Sequence, residues 1–147
     1  MKRGVPWLWL AILLPLQAHA TQADQVKASH GWIRLLPADL PAAGYVTLDN
    51  QGSSAATLVS ARSAFYASVM LHQSATDTAG GSSMRMLDRL TIPAHGEVSL
   101  APAGFHLMLQ EATHPYKPGQ TIDVTLDFAD GSHLRVPFMV RPANAPD

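Results

Sequence analysis

Cysteine is absent from all 147 residues. That excludes disulfides, zinc–thiolate clusters, cysteine nucleophiles and the blue-copper electron-transfer centre, which needs a thiolate. Charge is also scarce: charged residues make up 14% of the chain, with 10 basic against 11 acidic. So even a balance offers no basic stripe for nucleic acid, and no nucleic-acid partner is expected. Hydrophobic residues reach 47%, too many for a disordered, charge-rich tail. His-Glu-x-x-His, Gly-x-Ser-x-Gly and phosphate-binding glycine loops are all missing, so no enzymatic activity is expected. The length allows one domain of ordinary size.

Long hydrophobic runs are limited to one, Val5 to Leu16. As a helix these twelve residues would rise roughly 18 Å, short of a ~30 Å hydrocarbon core. Lys2 and Arg3 precede the run, and Ala18 and Ala20 follow it with the spacing of an A-x-A cleavage site. This order reads as a secretory signal peptide over residues 1–20, cleaved after Ala20, with export to a periplasm and no stable membrane insertion afterwards. Cleavage after Ala18 would instead expose His19 as an amino-terminal copper ligand, but it would put Leu16 where a small residue is wanted. The remaining residues 21–147 are expected to form a single domain, with 8 basic and 11 acidic residues, a balance of −3.

Within that domain the clearest period is two. Ile122, Val124, Leu126 and Phe128 alternate with polar residues, as do Leu134, Val136, Phe138 and Val140, with Asp130-Gly131 between them. This predicts a β-hairpin with one buried face, and Pro137 is expected to put its strand at an edge or a bulge. Shorter segments at Val46–Leu48, Leu58–Ala61, Val69–His72, Met84–Leu90, Val98–Leu100 and Phe105–Leu109 are separated by Gly, Pro, Ser, Asn or Asp. No convincing helical period is present. The expected fold is all-β, an antiparallel sandwich or barrel. The tail from Arg141 is expected to fray.

Against the missing cysteine stand six Met and seven His. Three segments place such residues at i and i+2, on one face of a strand: Met70 with His72, Met84 with Met86, and His106 with Met108. In the last, Phe105, Leu107 and Leu109 supply the core-facing set, which turns His106 and Met108 outward. Thioether is a soft ligand and imidazole a borderline one. Together, without thiolate or carboxylate, they select Cu(I) over zinc, calcium or magnesium. Met70 and Met139 are read as packing residues, and His30, His95, His114 and His133 as surface or turn residues. Trp32, Tyr45, Tyr66 and Tyr116 could line a binding platform, though such residues more often sit in the core or at its rim.

From about Val26 to Val140 the chain resembles the periplasmic copper chaperones of the PCuAC family. Their motif runs His, Met twelve on, His twenty-two further and Met two after that, matching His72, Met84, His106 and Met108. The surrounding Val69-Met70-Leu71-His72, Met84-Arg85-Met86 and Gly104-Phe105-His106-Leu107-Met108-Leu109 match as well. Gln73 stands where some members carry a further Met, and the tail RPANAPD lacks the His and Met of extended members, so a tail-borne Cu(II) site is not expected.

The resemblance implies a cupredoxin-like β-sandwich of Greek-key type that binds one Cu(I) through His72, Met84, His106 and Met108. The implied partners are copper-accepting proteins, either the copper centre of a haem–copper oxidase during cytochrome c oxidase assembly or a thioredoxin-like copper assembly protein. A monomer is expected. Met84 follows Thr76–Ser83, which reads as a mobile loop able to close over the metal, with Met86 as the substitute ligand. Because imidazole must be neutral to bind, Cu(I) affinity should weaken below about pH 6. The alternative reading is a metal-free exported β-sandwich for binding or adhesion.

Overall fold

The computed structural model describes residues 18–37 and 39–146; the signal-peptide segment, up to residue 17, lies outside them. Ten strands follow a single turn of helix, α1 (Gln22–Gln25), which Thr21 caps by accepting the Asp24 N–H while Asp24 reaches back to the Thr21 N–H. The strands are β1 (Val26–Leu35), β2 (Ala42–Asn50), β3 (Ala56–Arg62), β4 (Tyr66–Thr76), β5 (Ser82–Met86), β6 (Leu90–Ile92), β7 (Glu97–Leu100), β8 (Phe105–Ala112), β9 (Thr121–Phe128) and β10 (His133–Pro142).

Hydrogen-bonded neighbours run β5-β4-β8-β2-β1-β10-β9-β3-β6, with β7 pairing the far end of β2. The path curls until β3 approaches β4, so the inward faces enclose one core. Phe128, Phe138, Ile33, Leu48, Leu58, Leu107, Leu109, Ile122 and Leu126 fill it. Asn50 is the one polar side chain besides His106 among the buried described residues. Its Nδ2 donates to the carbonyls of Ser54 (2.8 Å) and Ile92 (3.1 Å), and its Oδ1 accepts the Gly52 N–H (3.0 Å), so the turn after β2 is tied to β6.

The predicted hairpin is β9–β10, in register from His133 opposite Asp127 to Met139 opposite Thr121. One expectation needs correction, and another is met in its second form. The fold is not purely antiparallel, because β10 runs parallel to β1, from Trp32 beside Met139 to Leu35 beside Pro142. No short turn joins these strands, since most of the chain lies between them, so the turn geometry that enforces antiparallel pairing does not apply. β10 is not an edge strand, so of the two places expected for Pro137, an edge or a bulge, the second applies. Pro137 is tolerated because the β1 ladder begins only at Met139, where β1 leaves a bulge between Ser29 and Trp32. At that bulge His30 takes a φ of +54°, and a Cβ on Gly31 would come within 2.7 Å of the Pro137 carbonyl oxygen.

The same bulge interrupts alternation in β1, which is why that strand is missing from the apolar segments read in the sequence. The segment 84–90 is also not one strand: it divides into β5 and β6 around Leu87-Asp88-Arg89.

Candidate metal centre

β4, β5 and β8 form one end of the sheet path, with β5 at the edge. On β8, Leu107 and Leu109 enter the core at 0% and 1% exposure, so His106 and Met108 face outward. The β4–β8 register sets His72 opposite His106 and Met70 opposite Met108. The β4–β5 register sets Met86 opposite His72 and Met84 opposite Ser74. Directly paired residues share a face. Both histidines and four methionines therefore lie on one outward face of three adjacent strands, although the segments that carry them span residues 70 to 108.

The two imidazoles are close, with ring centroids 5.7 Å apart and planes at 73°. His106 is buried and its Nδ1 lies 3.2 Å from the Gly104 carbonyl. A carbonyl only accepts, so Nδ1 carries the proton and Nε2 keeps the lone pair a metal needs. The Gly104 carbonyl also accepts the Ser74 N–H at 3.0 Å, which ties the start of β8 to β4. His72 Nδ1 is buried without a hydrogen-bond partner, and a buried nitrogen in that state is costly unless something binds it. Burial, and then the neighbouring His106, hold the His72 pKa below its ordinary value, which favours the neutral ring. The Met108 sulfur accepts a weak hydrogen bond from Gln110 Nε2 at 3.5 Å.

The third strand differs. Every residue of β5 is exposed, and Met84 and Met86 are each 61% exposed. The segment before Met84 is not the open loop the sequence suggests. β4 and β5 extend to Thr76 and Ser82, and Asp77 closes the hairpin by accepting the N–H groups of Ala79 and Gly81 while its own N–H donates to the Gly81 carbonyl. Met84 is thus a strand residue, and Met86 stands one pair closer to the histidines. Met70 is not in the core either. It is half-buried beside Met108 and lines, with Met86, a surface groove of about 230 Å³.

Other readings resolve cleanly. His30, His95, His114 and His133 are exposed, as expected. Met139, read as packing, is 51% exposed because Phe138 and Val140 take the core positions on β10. The four aromatic residues do not form one platform: Trp32 stacks with Tyr45 at 4.7 Å, while Tyr66 and Tyr116 pair elsewhere through their hydroxyls. Among the described residues no cluster of three or more His, Cys, Asp or Glu could hold a metal, so a centre of hard ligands is absent from them. A larger cavity of about 670 Å³, lined by Arg62, Phe65, Asp123 and Arg135 among others, carries none of the soft ligands.

Fold and face together define a β-sandwich with a sulfur- and imidazole-bearing outer face. A family model described as "LpqE-like: Putative lipoprotein LpqE-like" matches residues 26–140. The chain is 36% identical over 133 residues to "Putative lipoprotein Lxx21020" of Leifsonia xyli subsp. xyli, covering 89% of this chain and 80% of the relative. Its fold resembles the copper-bound PCuAC domain from PmoF2, with a TM-score of 0.68 at 23% identity, covering 85% of this chain and 99% of that domain. It also resembles the solution structure of CuI-DR1885 from Deinococcus radiodurans, with a TM-score of 0.61 at 33% identity, covering 79% and 76% of the two chains. The chain belongs to the LpqE-like family and has the PCuAC fold, as its sequence resemblance implied.

Proposed function

We propose that this protein is an exported copper chaperone that carries one Cu(I) on the outer face of β5, β4 and β8. The observation that carries this reading is the strand register, which sets His72 beside His106, places Met108 on the same face and brings the methionines of β5 across from them. Neutral thioether and imidazole groups suit Cu(I), and no thiol is needed in an oxidising compartment. The copper-bound state of the 33% identical Deinococcus protein supports the same cargo.

His72, His106, Met108 and Met84 hold the ion, with Met86 able to replace Met84. The ion is cargo, so the ligands must let go. Exchange begins on the β5 side, where an acceptor's ligand enters as an exposed methionine leaves, and half-buried His72 and buried His106 release last. Acceptors with paired thiolates set the direction. The acceptors are the copper centre of a haem–copper oxidase or a thioredoxin-like copper assembly protein. Among the described residues no helix is long and apolar enough to cross a membrane, and residues 1–20 serve as the cleaved export signal.

Anaerobic Cu(I) competition titration with X-ray absorption tests the reading. One Cu(I) per chain with two sulfur and two nitrogen neighbours is expected, and oxygen-only coordination or no retained copper would overturn it.

A further inference from the structure

Met70 has no part in the centre proposed above, and Met86 has only a substitute's part, yet the strand registers bring them together. The outward face is arranged in rows. One row reads Met86, His72 and His106 across β5, β4 and β8. The next row toward the start of β4 holds Met70 and Met108 as a direct pair. Met84 lies in the row on the other side, opposite Ser74. Met84 and Met70 therefore flank the histidine row from opposite ends.

Directly paired residues have Cβ atoms about 5 Å apart and diagonal neighbours about 7–8 Å, a gap that long unbranched side chains span. Met108 is the direct partner of Met70. Met86 is its diagonal neighbour, because Met86 pairs with His72, two residues along β4. Met70 and Met86 also line one groove of about 230 Å³. Three thioethers can thus meet around one point beside the histidine row, where no imidazole is needed to complete the set.

The walls of the groove suit a soft ion. Val59, Val69, Leu71 and Leu87 make it largely apolar, and among the described residues no lysine, arginine or histidine lines it. The Leu87 N–H donates to the Leu71 carbonyl at 2.8 Å, which holds the end of β5 against β4 and keeps Met86 near Met70. Asp88 brings a carboxylate to the same groove, a hard group that attracts a cation without competing with sulfur for a soft one. Met70 is half-buried although it faces outward, so it gives up less side-chain freedom on binding than an exposed methionine would. The Gln110 contact takes one lone pair of the Met108 sulfur and leaves the other.

We propose that Met70, Met86 and Met108 form a second position for a soft monovalent ion, Cu(I) or Ag(I), held by sulfur alone. It shares Met108 with the centre above, so one ion passes between the two positions. The proposal deepens the proposed function and rests on its cargo, though not on its histidines. Thioethers bind without releasing a proton, so the ion enters this position with no change in protonation. It is the landing place for an incoming ion: Met86, 61% exposed, takes the ion from its donor, Met70 and Met108 complete the set, and the imidazoles then take over.

The test uses the full chain with labelled methionine methyl groups and Ag(I), the air-stable analogue of Cu(I). In H72A/H106A the mixed centre is gone. One Ag(I) per chain should still bind, with the methyl signals of Met70, Met86 and Met108 shifting together and that of Met139, on β10, unmoved. Adding Met70→Leu, which keeps the bulk and removes the sulfur, should weaken Ag(I) binding at least about tenfold in that background and less than about threefold in the parent, where the imidazoles remain. His72→Ala alone serves if the double variant does not fold, and there too Met70→Leu should cost more than in the parent. A folded histidine variant that retains no Ag(I), a Met70 signal that stays put in it, or equal losses from Met70→Leu in both backgrounds would overturn the proposal.

The histidine ring signals of the parent separate this position from the centre above. If they stay put on loading while the three methyl signals shift, the imidazole centre fails and the sulfur position stands. If they shift and the histidine variants hold no ion, the centre stands and the sulfur position falls.

Discussion

The β8 half of the candidate centre and its β5 half use similar side chains in different surroundings. His106 is 6% exposed, is oriented by the Gly104 carbonyl and is anchored between core residues Leu107 and the β4 ladder. Met84 and Met86 are 61% exposed on an edge strand held by one neighbour. Affinity depends on ligands held in place, whereas exchange depends on ligands that can leave. The contrast divides those two needs between a central strand and an edge strand.

The largest effect should come from the β8 side. His106→Ala is expected to lower Cu(I) affinity by on the order of a hundredfold or more, since loss of a ligand should exceed the 10–100-fold typical of the groups that orient one. Anaerobic competition titration measures it, and a loss no larger than that of Met84→Ala would erase the contrast. Next, Leu107→Ala should cost about 2–5 kcal/mol of stability in denaturant unfolding, because it opens a cavity directly behind His106 and Met108. A β5 substitution such as Arg85→Ala should change stability by less than ~0.5 kcal/mol.

Smaller effects should come from the edge. Met84→Ala and Met86→Ala should each weaken Cu(I) by about tenfold or less, and the double variant by clearly more than the product of the two, because either sulfur can replace the other. Strictly additive losses would show that only one of them binds. Faster transfer to a thiol acceptor in the single variants is the kinetic counterpart.

The smallest effect lies away from the metal face and acts as its control. Asp127 accepts from Arg62 and Ser60 and pairs with His133 at 2.7 Å. Burial pushes its pKa up, but the hydrogen bonds from Arg62 and Ser60, the Arg62 charge and His133 outweigh it, and the carboxyl is held below its ordinary value of 3.8. A depressed carboxyl pKa contributes stability that is present above the unfolded value and is lost as pH falls through the folded one. Acid unfolding of Asp127→Asn should therefore differ from that of the parent mainly above pH 4, where the parent is more stable, and converge below it. Its Cu(I) affinity should be unchanged.

Much of the site was legible before the fold was known. Period-two alternation in Phe105–Leu109 turns His106 and Met108 outward because Leu107 and Leu109 must be inside, and the core bears this out. The hairpin of β9 and β10 was legible for the same reason, aided by its Asp-Gly turn. β1 was not, because the bulge at Ser29–Trp32 breaks its alternation. Met70 and Met139 were read as packing residues because composition cannot tell an outward thioether from a buried one. The segment from Thr76 to Ser83 looked like a loop because its glycines and serines hide how far the β4–β5 ladder extends.

By itself the sequence determined the chemistry on offer: soft, neutral ligands without a thiol, and strands whose faces follow from side-chain alternation, a property local to each segment. Tertiary structure alone decided which of those ligands meet. Register is a relation between strands far apart in the chain, and it sets His72 beside His106, puts Met86 nearer than Met84, and lines up Arg34, Ala43, Met108 and Met70 across four strands. No local pattern encodes that alignment, because one core and one curled sheet must satisfy all the pairings at once.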